Sequence, residues 1–133
     1  MKLYFLLFLS CFSFVSKQRQ SKYDLICKKW QLFGIQESGK VFVPIDSYKT
    51  PSILLFKKNG TFEVTTSMYE AQGIWEFNYD STKFNTKVLN AKGSHLSMLI
   101  NDNLKCDSVI RLTKDTLIYV SKNNTNWHYT IKQ

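Results

Sequence analysis

The residues that could carry catalysis are few and widely spaced. The 133-residue chain has two histidines, His95 and His128, and three cysteines, Cys11, Cys27 and Cys106. A nucleophilic triad needs Ser or Cys, His and a carboxylate brought together, and the sequence has only two histidines and no Gly-x-Ser-x-Gly elbow. The cysteines and histidines also show no Cys-x-x-Cys or His-x-His spacing for a metal. We therefore expect both histidines at the surface, no metal, no cofactor and no enzymatic activity.

Paired carboxylates are the remaining route to acid–base chemistry. The candidates are Glu63, Glu70 and Glu76, which fall on neighbouring predicted strands and turns. Side chains alternate between the two faces of a strand, so Glu63 and Glu76 face solvent if Phe62 and Phe77 face the interior. This pattern predicts surface carboxylates.

The elements that position these side chains are short strands. Apolar and polar residues alternate with a period of two around Trp30, Phe62, Trp75, Leu117 and Trp127. Polar turns separate the segments at intervals of about ten residues. The strongest turn signal is Asn59-Gly60, because both residues tolerate the positive φ of a tight hairpin.

This succession of hairpins predicts an all-β fold with one domain. The apolar run 53–56 adds a further strand, and no segment predicts a long helix, which excludes a parallel α/β fold. Closure of about eight sequential strands into an antiparallel up-and-down β-barrel removes the exposed sheet edges. An immunoglobulin-like sandwich is the alternative.

Large aromatic residues share the inward phase of these strands. They are Phe62, Trp75, Phe77, Tyr79, Tyr119, Trp127 and Tyr129. In a barrel of this size they either fill the interior or line an apolar pocket with Tyr hydroxyls at its mouth. Taking the second case, we predict ligand contacts from Phe62, Trp75, Phe77, Tyr79, Tyr119 and Tyr129. Substitution of Trp75 or Tyr119 by Ala is then expected to weaken binding.

The N-terminus has the outline of a secretory leader. Lys2 is followed by an apolar run from Leu3 through Leu9, which is too short to span a bilayer, and small residues follow near Ser16. We predict a signal peptide over residues 1–16 and a barrel domain over residues 24–133. A buried N-terminal strand or helix is the alternative.

Two routes of leader processing are open. Cleavage near Ser16 to Gln20 releases a periplasmic or secreted protein, and the alternative is lipidation of Cys11 in the stretch Leu9-Ser10-Cys11. Only the second route ties the protein to a membrane. Both predict an exported protein.

Either route leaves Cys27 and Cys106, and export places them in an oxidising compartment. One disulfide closing a loop of about 80 residues would stabilise the fold by about 4 to 5 kcal/mol on the chain-entropy model. Two buried free thiols are the alternative.

The net charge is positive. Without residues 1–16, which contain only Lys2, 17 basic and 10 acidic residues remain, a balance of +7. The basic residues occur as scattered pairs such as Lys28-Lys29, with no run of five. This distribution is typical of a solvated surface, and we expect no nucleic-acid partner.

Three stretches carry a resemblance to a known family. They are Leu25–Leu32 with its early Trp, Ile53–Phe62 followed by Gly73–Phe77, with the Asn-Gly-Thr-Phe hairpin and a Gly-x-Trp strand, and Ile110–Tyr119. In this order they resemble the lipocalin-like proteins exported by Bacteroidetes-type bacteria, part of the lipocalin or calycin group. The resemblance spans nearly all of residues 25–131.

The resemblance implies a barrel with Trp30 at its base and Arg111 stacked on the Trp30 ring. One departure is Lys28, which stands where lipocalins carry Gly. Another is Lys132, which competes with Arg111 for the place over the ring.

Two functions follow from these observations. The first is a monomeric, non-enzymatic exported barrel that binds a small apolar or amphipathic ligand. The alternative is a filled barrel that recognises a protein or an acidic polymer through its basic exterior, with Tyr69–Gln72 and the Asn123–Asn126 turn as candidate surfaces.

Overall fold

The computed structural model describes residues 20–93 and 104–132. The predicted signal peptide over residues 1–16, Cys11 and His95 lie outside the described residues. The leader and its two processing routes therefore stay predictions.

The described part of the chain contains one short helix and nine strands. Their bounds are α1 Lys22–Ile26, β1 Lys29–Glu37, β2 Val43–Pro44, β3 Ser52–Phe56, β4 Thr61–Thr66, β5 Tyr69–Phe77, β6 Lys83–Gly93, β7 Lys105–Leu112, β8 Thr116–Val120 and β9 Thr125–Ile131. No helix within these residues has the length and apolar character needed to cross a membrane.

The strands form a closed antiparallel barrel. From β3 to β9 each strand pairs with the next in sequence, β1 pairs with β3, and β1 also pairs with β9, so eight strands form a complete ring. Strand β2 lies outside the ring and pairs with the end of β1 through Gly34 and Pro44. The predicted eight-stranded up-and-down barrel is confirmed, and the sandwich alternative is wrong.

The β3–β4 hairpin forms where the sequence predicted it. Gly60 has a φ of 82°, a conformation that glycine adopts without steric cost. The Thr61 backbone N–H donates to Asn59 Oδ1 at 3.1 Å, which fixes the turn from the inside. Phe56 and Phe62 are paired directly across the two strands, and both point into the barrel.

Helix α1 covers one end of the barrel, which we call the closed end. Ser21 caps the helix, since its hydroxyl accepts from the Asp24 backbone N–H. The fully buried Trp30 donates its indole N–H to the Ile26 carbonyl at 2.8 Å and so ties β1 to the helix. Arg111 is exposed on β7, and its predicted stacking on Trp30 stays a prediction.

Large side chains fill the closed end. Trp30, Phe56, Phe84 and Leu117 are almost completely buried. The ring centroids of Phe56 and Phe84 lie 5.4 Å apart in an edge-to-face arrangement, which is the favoured geometry for packed aromatic rings. The core therefore lies at this end of the molecule.

The structure corrects the placement of Tyr79. Strand β5 ends at Phe77, and residues 78–82 form a turn in which Asp80 accepts from the Thr82 backbone N–H at 3.1 Å. Ser81 adopts a positive φ of 56° in this turn. Tyr79 is fully exposed because the alternation of β5 stops before it.

The predicted disulfide is wrong. Cys27 and Cys106 are both free thiols and are not at bonding distance. Cys27 follows α1 and packs against the core at the closed end, whereas Cys106 is exposed on β7. Its neighbour Asp107 takes the inward position on that strand, so Cys106 faces away from the interior. Both cysteines are free thiols, as in the alternative prediction, but Cys106 is exposed and Cys27 is only partly buried.

Candidate functional site

The other half of the barrel encloses a cavity of about 360 Å³, which we call the cup. Phe56, Phe62 and Phe84 form its floor. Its mouth lies between Lys105 and the β8–β9 turn at residues 121–123. The cup is thus a recess above the packed closed end, with walls made of inward-facing strand residues.

Tyrosine side chains line the wall of the cup opposite β4 and β5. The hydroxyls of Tyr119 and Tyr129 are 3.4 Å apart, and their rings stack with a centroid separation of 5.7 Å. Burial raises the pKa of Tyr129 to about 12 and raises the pKa of Tyr119 well above its ordinary value. Both phenols are therefore neutral at physiological pH and can donate or accept a hydrogen bond.

Among the described residues, one carboxyl on a buried residue also faces the cup. Asp107 on β7 is 6% exposed, lines the cavity and pairs across the sheet with Phe84 of the floor. Among the described residues its carboxyl has no hydrogen-bond or ion-pair partner. Burial raises the pKa of Asp107, and the positive charge of Lys105 opposes that rise only in part.

The mouth combines a tryptophan with basic residues. Trp127 stacks on Tyr119 at a centroid distance of 6.5 Å and donates its indole N–H to Ser121 Oγ at 3.2 Å. Lys105 and Lys122 are exposed, so their ammonium groups stay hydrated. The cup therefore has an aromatic wall and a solvated basic rim.

The structure brings together only half of the predicted ligand residues. Phe62, Tyr119 and Tyr129 line the cup. Trp75 and Phe77 lie instead at the closed end, where both rings pack 5.2 Å from Tyr23 of α1. The inward direction of the Trp75 and Phe77 side chains was predicted, but their height along the barrel axis was not.

The indole N–H of Trp75 donates to the Lys57 carbonyl at 2.9 Å, so the polar atom of this side chain is paired within the protein. Together with exposed Tyr79, this leaves three of the six predicted ligand residues away from the cavity. Substitution of Trp75 is now expected to affect stability more than binding.

Sequence reasoning missed Asp107, although a signal was present. In Cys106-Asp107-Ser108-Val109 the acidic residue shares the phase of Val109, so an inward carboxyl can be deduced once β7 is known to begin at Lys105. The start of this strand was hidden because its first residues are polar. A polar residue on the inward phase of a barrel strand is the pattern to look for.

The predicted surface carboxylates face outward. Glu63 forms an ion pair with Lys57, Glu70 pairs with Lys92 at 2.9 Å, and Glu76 is exposed. In the part of the chain that the structure describes, no group of three or more His, Cys, Asp or Glu could hold a metal ion. Glu63, Glu70 and Glu76 therefore do not form a pair of carboxylates arranged for acid–base chemistry.

His128 is more buried than predicted. It points to the outside of the barrel, but the rings of Phe33 and Phe42 pack against it at 6.0 and 5.1 Å. Its Nε2 is buried without a hydrogen-bond partner among the described residues, and burial lowers its pKa. Phe42, in the segment leading into β2, covers the histidine.

A larger depression of about 820 Å³ lies on the outer surface. It runs between outward residues of β1, β3 and β9 and the exposed loop that contains Tyr48 and Pro51. It lies outside the barrel wall, and its one aromatic lining residue, Tyr48, is almost fully exposed. The cup is therefore the better candidate for a binding site.

No protein-family model matches the chain, and no curated protein matches it. Solved structures do resemble it. A lipocalin-like protein from Bacteroides uniformis aligns with a TM-score of 0.62 at 15% identity, over 80% of this chain and 98% of that one. An uncharacterised protein from Bacteroides eggerthii aligns with a TM-score of 0.59 at 13% identity, over 80% and 99% of the two chains.

A third structure, of a protein from Burkholderia xenovorans, has a TM-score of 0.54 at 11% identity and covers 84% of this chain and 86% of its own. At such identities the likeness concerns the fold. The closed antiparallel ring and these alignments agree with the resemblance found in the sequence. The chain has a lipocalin-like fold.

Proposed function

We propose that this protein is a non-enzymatic binding protein that holds one small apolar or amphipathic molecule in the cup. The observation that carries the proposal is the contrast in filling: one half of the barrel is packed with aromatic and aliphatic side chains, and the other half encloses about 360 Å³. A concave, mostly apolar recess with few polar groups is the usual form of a small-molecule site.

The binding energy comes mainly from removing apolar ligand surface from water. This transfer contributes about 25 cal/mol per Å² of buried apolar area. Phe62, Tyr119 and Tyr129 supply aromatic contact area, and the tyrosine hydroxyls fix the orientation of the ligand. The recess exists before the ligand enters, which lowers the entropic cost of binding.

We also propose that the protein acts after export, in the periplasm or outside the cell. The support is the leader-like sequence of residues 1–16. The mass of the protein recovered from its own cell envelope tests this proposal. Cleavage near Ser16 to Gln20 and a lipid-modified Cys11 give different masses, and an uncleaved chain in the cytoplasm contradicts export.

Binding is tested by native mass spectrometry of the purified protein and by titration with an apolar fluorescent probe. We expect a retained small molecule or a saturable probe signal. Ala71→Met places extra volume inside the cup, where Ala71 is buried, and is expected to weaken probe binding about fivefold or more. Ile74→Met, on the outward face of the same strand, is the matched control and keeps full binding.

A clean mass without adduct, together with no probe response, contradicts the proposed function. The second candidate is then an interaction module. Val41 and Val43 favour this candidate, since they are 84% and 54% exposed beside the edge strand β2. Of the two surfaces predicted from the sequence, Tyr69–Gln72 is the weaker, because Tyr69 turns into the cup.

A further inference from the structure

We propose that the ligand of the cup carries a protonated amine, and that this amine binds the Asp107 carboxylate while its apolar body lies against the aromatic wall. The inference rests on the proposed function and adds the chemical class of the ligand. It separates a cationic amphiphile from a fatty acid or another anionic amphiphile, which the shape of the cavity alone does not distinguish.

The first support is the position of Asp107. The residue is 6% exposed, lines the cavity and is the cross-strand partner of Phe84 on the floor. No described residue donates a hydrogen bond to its carboxyl, and its oxygens are not among the fully buried, unpartnered polar atoms of the described residues, so they face the space of the cup. A carboxylate that faces a cavity without a donor from the protein is free to accept a hydrogen bond from a ligand.

The second support is the chemistry of the surrounding wall. The rings of Tyr119, Trp127 and Tyr129 stack on one another in the cavity that Asp107 also lines. Stacking turns the ring faces toward each other, so the rings offer apolar contact area to the body of the ligand. The wall thus accommodates the apolar body, and Asp107 supplies the preference for a positive charge.

The basic rim does not reverse this preference. Lys105 and Lys122 are exposed, and the interactions of exposed charges are weakened by water and salt. An anionic head group deep in the cup meets the carboxylate of Asp107, whereas an amine there forms a charge-assisted hydrogen bond. The rim lysines select weakly against cations at entry, and the interior selects for them.

The titratable groups that face Asp107 are Lys105 on its own strand, Tyr69 on β5, Tyr119 on β8, Tyr129 on β9 and Lys122 at the mouth. Burial raises the pKa of all three tyrosines. At neutral pH these phenols carry no charge, so Asp107 is the buried group whose charge decides between ligands.

The test uses three probes that share the same apolar phenyl chain and differ in their polar group: 3-phenylpropylamine, 3-phenylpropanol and 3-phenylpropanoate. Calorimetry at pH 7.5 measures each against the wild-type protein, Asp107→Asn and Glu70→Gln. We expect the amine to bind the wild type about tenfold or more tightly than the alcohol or the acid, since a hydrogen bond between charged groups has this strength. In Asp107→Asn this preference is lost, while the alcohol binds within about twofold of its wild-type affinity.

Glu70→Gln is the matched control, because Glu70 is a carboxylate near the same end of the barrel but points outward to Lys92. It keeps the preference for the amine. Equal binding of the amine by wild type and Asp107→Asn overturns the inference, as does tighter binding of the acid. If the apolar fluorescent probe binds but the amine has no advantage, the inference fails and the proposed function stands. If no probe binds and native mass spectrometry shows no adduct, both fail.

Asp107→Asn is close in shape to the parent and is expected to fold. Its melting temperature provides a second readout, because removing an unpaired buried charge leaves stability unchanged or raises it. A large loss of melting temperature shows a structural role for the carboxyl and overturns the assignment to a ligand.

Discussion

The two halves of the barrel are built from the same strands but pack differently. At the closed end, the rings of Trp30 and Phe56 are almost completely buried, and the indole N–H of Trp30 donates to the Ile26 carbonyl of the helix. In the cup, the small side chain of Ala71 and the two tyrosines Tyr119 and Tyr129, whose hydroxyls lie side by side, leave part of the ring unfilled. The comparison shows that the level of an inward-facing residue along the barrel axis decides whether it packs in the core or lines the cavity. The inward or outward direction of the side chain does not decide this.

The largest expected effect on this comparison comes from replacing one tryptophan by alanine in each half of the barrel. Trp30→Ala is expected to reduce the free energy of unfolding by about 3 to 5 kcal/mol, because it removes a completely buried ring and leaves a cavity. Trp127→Ala removes the same side chain from the half-buried mouth and is expected to cost less. Urea unfolding measures both. Equal losses contradict the division into a packed and an open half.

A second variant addresses the boundary between the halves. Gly73 lies at the β5–β6 bulge, where an added Cβ meets the Lys87 carbonyl oxygen at 1.9 Å and the Phe62 ring at 2.7 Å. Gly73→Ala is expected to reduce the free energy of unfolding by about 1 to 3 kcal/mol, because the strand or the floor ring must move. The neighbouring, exposed Gln72→Ala is the control and should stay within about 0.5 kcal/mol of the parent. Equal unfolding midpoints for the two variants contradict the close contact.

The pH dependence of stability distinguishes the two halves in a third way. Burial raises the pKa of Asp107 above 3.8, so the folded state holds this proton more tightly than the unfolded state. The contribution of Asp107 to stability therefore falls as pH rises from 3.8 through the pKa of the folded protein. Asp24, Asp80 and Asp115 have lowered pKa values and act in the opposite direction.

The quantity to measure is therefore the difference in thermal stability between the parent and Asp107→Asn. The variant is expected to gain stability relative to the parent as the pH rises from 3.8 toward neutrality. Thermal unfolding across this range in low-salt buffer measures the difference. A difference that does not change with pH contradicts the assignment of an ionising, unpaired carboxyl to the cup.

The smallest expected effect is that of Tyr119→Phe. The hydroxyl contact with Tyr129 is long, at 3.4 Å, and the ring that fills the wall remains. We expect a change of about 1 kcal/mol or less in the free energy of unfolding. Tyr129→Phe should behave alike. A loss of several kcal/mol in either variant shows that the hydroxyls support the fold and do not serve mainly the ligand.

The sequence predicted the barrel well because each hairpin is local. The Asn59-Gly60 turn and the alternation around Phe62 and Leu117 are properties of neighbouring residues, and they led to the correct fold class. The Cys27–Cys106 pairing depends on distances in the closed ring, which local patterns do not contain. For the same reason the cup was predicted only in part.

Strand direction explains the errors within the site. Trp75 and Tyr119 share the inward phase, but Trp75 lies near the end of β5, which runs from the mouth to the closed end, whereas Tyr119 lies near the end of β8, which runs from the closed end to the mouth. The two rings are therefore at different levels of the barrel. The strand was predicted to continue to Tyr79, two residues beyond the end of β5 at Phe77. Asn78 already belongs to the following turn. Asp107 was not predicted as a site residue because the first residues of β7 are polar.

The ring is completed by strands from the two ends of the domain. Trp30 pairs with Ile131, so the contacts between β1 and β9 join residues up to 101 positions apart. Contacts over such separations slow folding, because a long loop must be ordered before they form. During synthesis β9 emerges last, and until then β1 and β8 each present an unpaired edge. The cup is consequently a late product of folding: a chain cut short before residue 125 has no closed wall and is exposed to edge-to-edge aggregation.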